Sequence, residues 1–288
     1  MKVVDRSGNI INKGEEQNNL LKKLYGTFLG RCALKILVCK GVTNLGGVYM
    51  NSRLSKRKIA PFIKDNDICM EEYENRQFVS YNDFFTRKIV EGKRPFSINK
   101  DALISPADSK LSYYQISEDS IFKIKNATYT IEDLLQDKNL AASYVGGTCL
   151  IFRLTVDDYH RYSFIDDGKI ISSKYIKGIF HTVNPIANEY YPIYSRNARE
   201  FTVIETENFG QIVQMEVGAM MVGKIVNHPL SVCKKGQEKG MFEFGGSTVV
   251  ILLKKEVAII DQDIINNSLE DKETVVKSGE QIGIRNSK

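Results

Sequence analysis

Phe244-Gly245-Gly246-Ser247-Thr248 runs directly into Val249-Val250-Ile251-Leu252-Leu253, so a glycine-rich break stands at the mouth of a strongly apolar run near the C-terminus. An apolar run bounded in this way reads as a strand entered from a turn. The same residues have a second use. Gly246 has no side chain to block approach to its carbonyl, and Ser247 carries the nearest nucleophile for the peptide bond that precedes it. That arrangement suits an N-to-O acyl shift, in which Ser247 Oγ attacks the Gly246 carbonyl. A turn is the commoner use of Gly-Gly-Ser, and the pentapeptide alone does not separate the two.

Other segments share the β character of this run. Thr148 to Leu154 is a short apolar strand candidate, and Lys169 to Val183 alternates apolar with polar residues. Gln211 to Val217 alternates cleanly, with Val213, Met215 and Val217 on one face and Gln214 and Glu216 on the other. Asn208-Phe209-Gly210 turns the chain before it. Residues before about 100 read as helical and irregular instead. The expected fold is α+β: N-terminal helices (1–100, a membrane-associating region) followed by a largely antiparallel β body (101–288) carrying the cleavage site.

The helical expectation rests on Asn19 to Lys40, where Leu20, Leu21, Leu24, Tyr25, Phe28, Cys32 and Ile36 recur at spacings of three and four. Cations interrupt this stretch too often for a bilayer span, which needs about 20 mostly apolar residues. An interfacial helix and a helix packed on the protein's own core both fit the pattern. Arg53, Lys56, Arg57 and Lys58 form a basic cluster suited to anionic head groups, although a solvated charge run is the commoner meaning. Overall the 40 basic and 35 acidic residues leave +5, too mild to point to nucleic acid. The five cysteines form no C-x-x-C pair and read as reduced thiols, not as a disulfide framework or zinc site. No N-terminal segment has the layout of a cleaved signal peptide.

Three histidines narrow the search for chemistry. His160 lies in Asp157-Asp158-Tyr159-His160-Arg161 after the first apolar strand, His181 in Phe180-His181-Thr182, and His228 in a turn-like Asn227-His228-Pro229. No two have the close spacing of a zinc motif, and no metal is expected. Asp108, in Ser105-Pro106-Ala107-Asp108-Ser109, would pass by itself as an Asx turn.

In chain order, Asn82-Asp83-Phe84-Phe85-Thr86-Arg87, Arg94-Pro95, Ser105-Pro106-Ala107-Asp108, Asp158-Tyr159-His160-Arg161, Val183-Asn184-Pro185, Val217-Gly218-Ala219 with Val222-Gly223, Lys235-Gly236 with Lys239-Gly240, and Gly246-Ser247-Thr248 resemble the phosphatidylserine decarboxylases from about residue 80 to 253. The resemblance implies a proenzyme that cuts itself between Gly246 and Ser247 into a large chain (1–246) and a small chain (247–288) that stay associated. It implies catalytic roles for Asp108, His160 and Ser247, with His160, oriented by Asp108, as general base on Ser247 Oγ. Ser247 would become a pyruvoyl cofactor, which forms a Schiff base with phosphatidylserine and takes up the electrons released with carbon dioxide, giving phosphatidylethanolamine. The implied partners are phosphatidylserine and an anionic membrane surface, and the implied location is peripheral, on the cytoplasmic face of the cell membrane. Nucleic acid is not among the implied partners, and a homo-oligomer is left open.

The chain departs from the family pattern at Ser163, where many members carry a second histidine, which leaves His181 as a reserve. Gly245 stands where leucine is frequent and Ser109 where glycine is, and Arg199 matches a family arginine only loosely. A serine hydrolase using Ser247 is the first alternative, although Gly245-x-Ser247-x-Val249 lacks the second glycine of a nucleophile elbow. A noncatalytic membrane-binding β domain is the other.

Overall fold

The apolar run after Ser247 is uninterrupted because its strand is covered on both faces. The computed structural model describes residues 2–11, 26–27, 40–119, 121–124, 127–179, 182, 192–219, 224–243, 245 and 247–287. Most of the amphipathic stretch from Asn19 to Lys40 lies outside the described residues.

The chain opens with strand β1 (Lys2–Val4) and continues through helices α1 (Lys40–Asn51), α2 (Ile59–Asp65) and α3 (Tyr81–Phe85). Strands β2 (Ala102–Ile104), β3 (Ser109–Gln115), β4 (Ile121–Ile124) and β5 (Ala127–Thr130) precede helices α4 (Ile131–Leu135) and α5 (Lys138–Ala142). Then come β6 (Thr148–Leu154), β7 (Arg161–Ser163), β8 (Gly168–Ile176), the short helix α6 (Ile193–Arg196), β9 (Arg199–Thr206) and β10 (Gly210–Gly218). The last part holds β11 (Ile225–Asn227), β12 (Val232–Cys233), β13 (Glu238–Phe242), β14 (Ser247–Leu253), β15 (Ala258–Ile260), helix α7 (Gln262–Leu269), β16 (Lys272–Val276) and β17 (Gln281–Arg285).

Among the described residues the main sheet has nine strands in the order β1-β16-β3-β6-β14-β10-β9-β8-β12, antiparallel except for β1 beside β16. This is the α+β architecture expected; among the described residues three helices precede residue 100 and four short ones lie within the β body. One detail differs from a helical N-terminal region: Lys2 to Val4 form an edge strand of the β body, and Arg6 is tied to Asp261, Asp263 and Glu280. A strand edge must find backbone partners, and β16 supplies them.

Two cores sandwich the main sheet. On one face Val213, Met215, Val217, Val250 and Leu252 pack against Tyr129, Leu134, Tyr144 and Tyr194. On the other, Leu150, Phe152, Leu154, Val249, Ile251 and Leu253 pack against Tyr162, Phe164 and Phe242. The cover on this second face includes a small sheet, β11-β13-β7. Gln214 and Glu216, the polar half of the β10 alternation, therefore point into a second layer and not into solvent, with no exposed surface.

The helical part has its own small core of Met50, Phe78, Tyr81, Phe84 and Phe85, against which Val156 packs. Helix α3 starts at an N-cap: Ser80 Oγ accepts from Asp83 N–H, and the Asp83 carboxylate accepts from Val79 N–H. Among the described cysteines, Cys149 and Cys233 are buried, Cys69 is exposed, and all are free.

Candidate active site

Ser247 is the first residue of β14, directly opposite Leu154 of β6 on one side and Gly218 of β10 on the other. It is fully buried, and its Oγ has no hydrogen-bond partner among the described residues. Leaving a hydroxyl buried and unpartnered costs about 1–3 kcal/mol, so such groups are rare. Just upstream, Gly245 has φ +136°, a conformation that the leucine frequent in the family would adopt only under strain. Gly246 lies outside the described residues.

The strand opposite Ser247 brings His160 to the same end of the sheet. After Leu154 the chain turns, and the Asp158 carboxylate holds the turn by accepting from Thr155 N–H, Thr155 Oγ1–H and Lys110 Nζ. The return path passes β13, where Phe242 N–H donates to the His160 carbonyl at 2.9 Å, five positions before Ser247. The His160 ring packs on Phe85, with centroids 4.0 Å apart. Its Nδ1 lies 2.9 Å from the Asp158 carbonyl oxygen. A carbonyl only accepts, so Nδ1 carries the proton and Nε2 presents a lone pair. Nε2 is buried without a partner among the described residues. Burial pushes the His160 pKa down to about 3; the Asp158 carbonyl opposes this, and the charge of Arg87 adds to it. The imidazole is thus a neutral base at physiological pH.

Asp108 is placed differently from the expectation. Its carboxylate is buried and bound by Arg94 at 2.8–3.2 Å, Lys277 at 3.3 Å and Ser278 N–H at 2.8 Å. Burial alone would raise its pKa, but Arg94 and Lys277 hold it below the usual carboxylate value. The expected bond from Asp108 to His160 is not formed, because these cations and the backbone take the Asp108 oxygens and the nearer Asp158 carbonyl takes Nδ1. Asp108 still borders the site: Ser163, at the position of the family's second histidine, donates from N–H and Oγ to the Pro106 carbonyl, two residues before Asp108.

A buried network on the face of Ser247 was not legible in the motifs. Lys239 Nζ donates to Glu216 Oε2 at 2.6 Å and to Asn227 Oδ1 at 3.1 Å. Asn227 Nδ2 also donates to Glu216 Oε2, and Tyr162 Oη donates to Asn227 Oδ1. Gly240 lets these strands close: a Cβ there would stand 2.2 Å from the Val226 carbonyl oxygen and 2.9 Å from Tyr162 Oη. Among the described residues Glu216 Oε1 and Gln214 Oε1 remain without partners. The available signal was a pair of charges, Glu216 and Lys239, each inside a β-prone run.

The remaining candidates serve other purposes or lie elsewhere. Arg199 is buried and donates to the carbonyls of Asp133, Leu134, Ser195 and Asn197, closing the ends of α4 and α6. His228 is half-exposed and meets Glu238 at 2.8 Å. Arg87 is buried between the rings of Tyr73 and Phe84, at 4.3 and 4.8 Å, with Nε unpartnered. Thr248 Oγ1, on the opposite face from Ser247, also lacks a partner. His181 lies outside the described residues, and among those described no three His, Cys, Asp or Glu side chains gather as a metal-binding group.

The profile of the phosphatidylserine decarboxylase family matches residues 81–284. A protein named phosphatidylserine decarboxylase proenzyme 2, from Clostridium acetobutylicum, is 52% identical over 271 residues, covering 94% of this chain and 93% of that one. A phosphatidylserine decarboxylase proenzyme from Ruminiclostridium cellulolyticum is 41% identical, with 92% and 90% covered. One from Clostridium novyi is 38% identical, with 93% of each covered. With a match of this extent, the chain belongs to the phosphatidylserine decarboxylase family and is a decarboxylase.

Proposed function

We propose that this enzyme cuts itself between Gly246 and Ser247, and that the pyruvoyl group so formed converts phosphatidylserine to phosphatidylethanolamine. The observation that carries this reading is the pair of fully buried, unpartnered polar atoms, Ser247 Oγ and His160 Nε2, at one end of the main sheet. An orphaned hydroxyl at the start of β14, with an imidazole lone pair also left free on the turn that follows the neighbouring strand β6, is what a serine awaiting conversion requires. The name proenzyme, carried by the relatives, fits the same cut.

His160 Nε2 takes the proton from Ser247 Oγ as Oγ attacks the preceding carbonyl, and returns it to the Ser247 nitrogen as the C–N bond breaks. The product is an ester. Loss of the Ser247 α-proton then expels the Gly246 carboxylate, and water with loss of ammonia completes the pyruvoyl group. That group supplies an electron sink for decarboxylation, with no metal in the scheme. Leu154, Val249 and the layer above them keep water from the reacting end. Asp108 acts at one remove, holding Arg94, Lys277 and the Ser278 backbone beside the Pro106–Ser163 contact.

The two pieces stay together for a structural reason. The small chain would own β14, which bonds to β6 and β10 of the large chain on both sides, and β16, which bonds to β1 and β3. Residues 1–100 are proposed as the membrane-associating region of a peripheral enzyme on the cytoplasmic face, with 101–288 the catalytic body. In support, Leu45, Val48 and Leu54 are 72%, 71% and 62% exposed beside the cluster Arg53, Lys56, Arg57 and Lys58. No described helix is long and apolar enough to cross a membrane.

Intact mass measurement of the denatured protein tests the reading. The expected result is two chains, the small one starting at residue 247 and lighter than a serine-started peptide by the difference between serine and pyruvoyl. A chain that stays whole under all conditions would overturn it.

A further inference from the structure

Self-cleavage makes two separate demands for a base. His160 answers the first, at Oγ, and the Cα–H of Ser247 must lose its proton in a separate, later step. Glu216 is placed for that second demand. In the β10–β14 register Gly218 faces Ser247 and Glu216 faces Val249, so Glu216 lies on the Ser247 face as its diagonal neighbour. Diagonal partners of antiparallel strands have Cα atoms about 7–8 Å apart, within reach of a long side chain. Gly218, directly opposite Ser247, puts no side chain in the way.

The carboxylate is oriented and half open. Lys239 and Asn227 both bind Oε2, and Oε1 is buried with no partner among the described residues. Lys239 and Glu216 are themselves almost wholly buried, at 2% and 0% side-chain exposure. A buried ion pair normally satisfies all its lone pairs, since an unpaired buried acceptor is costly. Burial raises the Glu216 pKa against the pull of Lys239, which suits an oxygen that must hold a proton.

We propose that Glu216 Oε1 is the acceptor of the Ser247 α-proton in the elimination step, with Lys239 and Asn227 as positioning residues. This rests on the self-cleavage reading above. The Cα–H bond breaks and its proton goes to Oε1. Its electron pair forms the Cα–Cβ double bond, and the Cβ–Oγ bond breaks, leaving its pair on Oγ as part of the new Gly246 carboxylate. Glu216 ends as a neutral acid and the charge has moved to the departing carboxylate, so the step needs no other reactant.

The test compares wild type, Ser247→Ala, Glu216→Gln and the double variant E216Q/K239M by thermal melting and by intact mass before and after hydroxylamine. The double variant removes the charge pair together, so that no buried lysine is stranded if the single variant fails to fold. The expected result is a folded double variant that matures at least about 10²-fold more slowly than wild type. It should be held as an ester that hydroxylamine splits after Gly246, releasing a small chain that starts with serine. Maturation of the double variant at the wild-type rate would overturn the proposal, as would an uncut chain that resists hydroxylamine, which places the block before the ester. If wild type itself never splits, the self-cleavage reading fails first and takes this one with it.

Discussion

Among the described residues, a buried ion pair stands on each face of the main sheet, and the two pairs are finished differently. On the Thr248 face, Arg153 holds both oxygens of Glu273, through Nε at 2.7 Å and through Nη2. On the Ser247 face, Lys239 and Asn227 share one oxygen of Glu216 and leave the other bare. The closed pair has used its capacity for bonding on holding β6 to β16 across β3. The open pair has capacity left, on the sheet face of Ser247, whose Oγ is also unpartnered among the described residues. Burial alone therefore does not separate the two pairs; the unsatisfied Glu216 Oε1 does.

The largest effects should break this contrast outright. Ser247→Ala and His160→Ala should abolish chain cutting while leaving the fold intact. Ser247→Ala loses only a buried orphan and should melt no lower than wild type, with about 1 kcal/mol of relief available, whereas His160→Ala also loses the Nδ1 bond to Asp158 and the packing on Phe85 and should melt lower. A sharp loss of melting temperature in S247A would mean that its hydroxyl is bonded after all. On the other face, Arg153→Met should lower stability by about 3–5 kcal/mol, because Glu273 is left buried and alone. The paired change R153M/E273Q should recover most of that and still cut at the wild-type rate, read by denaturant melts and by mass. Slow cutting in a stable R153M/E273Q protein would erase the distinction between the faces.

A smaller effect is expected at Asp108→Asn, which loosens Arg94, Lys277 and the Ser278 backbone. A loss of about 1.5–3 kcal/mol in melts is expected, with slower but detectable cutting. Wild-type cutting speed in D108N would remove the residue from the mechanism.

Acidity probes His160 more gently. Its folded pKa of about 3 lies below the ordinary value of about 6.5, so the unfolded chain binds the extra proton first as pH falls. Stability from this group is therefore complete above about pH 6.5 and is lost as pH falls toward about 3, and H160A should flatten that slope. The cutting rate, by contrast, should hold from about pH 8 down to about pH 5, because the base stays neutral. A fall in rate centred near pH 6.5 would show that the imidazole titrates normally. The mildest change is at the surface: L45S/V48S/L54S should cut normally and float less well with anionic vesicles. Unchanged flotation would move the membrane contact elsewhere.

The strands were readable where their pattern is local. Gln211 to Val217 alternates and forms β10, Thr148 to Leu154 forms β6, and Val249 to Leu253 lies within β14. The alternation could not say that the polar side of β10 is dry, since that depends on β7, β11 and β13 folding over it. The edge strand at Lys2 to Val4 was equally invisible, because its partner lies about 270 positions away.

The amino-acid order by itself determined the proposed scissile pair, since Gly246 and Ser247 are joined by the bond in question and no folding is needed to bring them together. It also determined the β character of the body, which follows from side-chain period over a few residues. Only the tertiary structure decided that His160 is held by the Asp158 carbonyl, that Asp108 belongs to Arg94 and Lys277, and that Glu216 meets Lys239 under a second layer. Each of these depends on which groups lose their water together, and desolvation is a property of the packed chain that no short stretch of sequence contains.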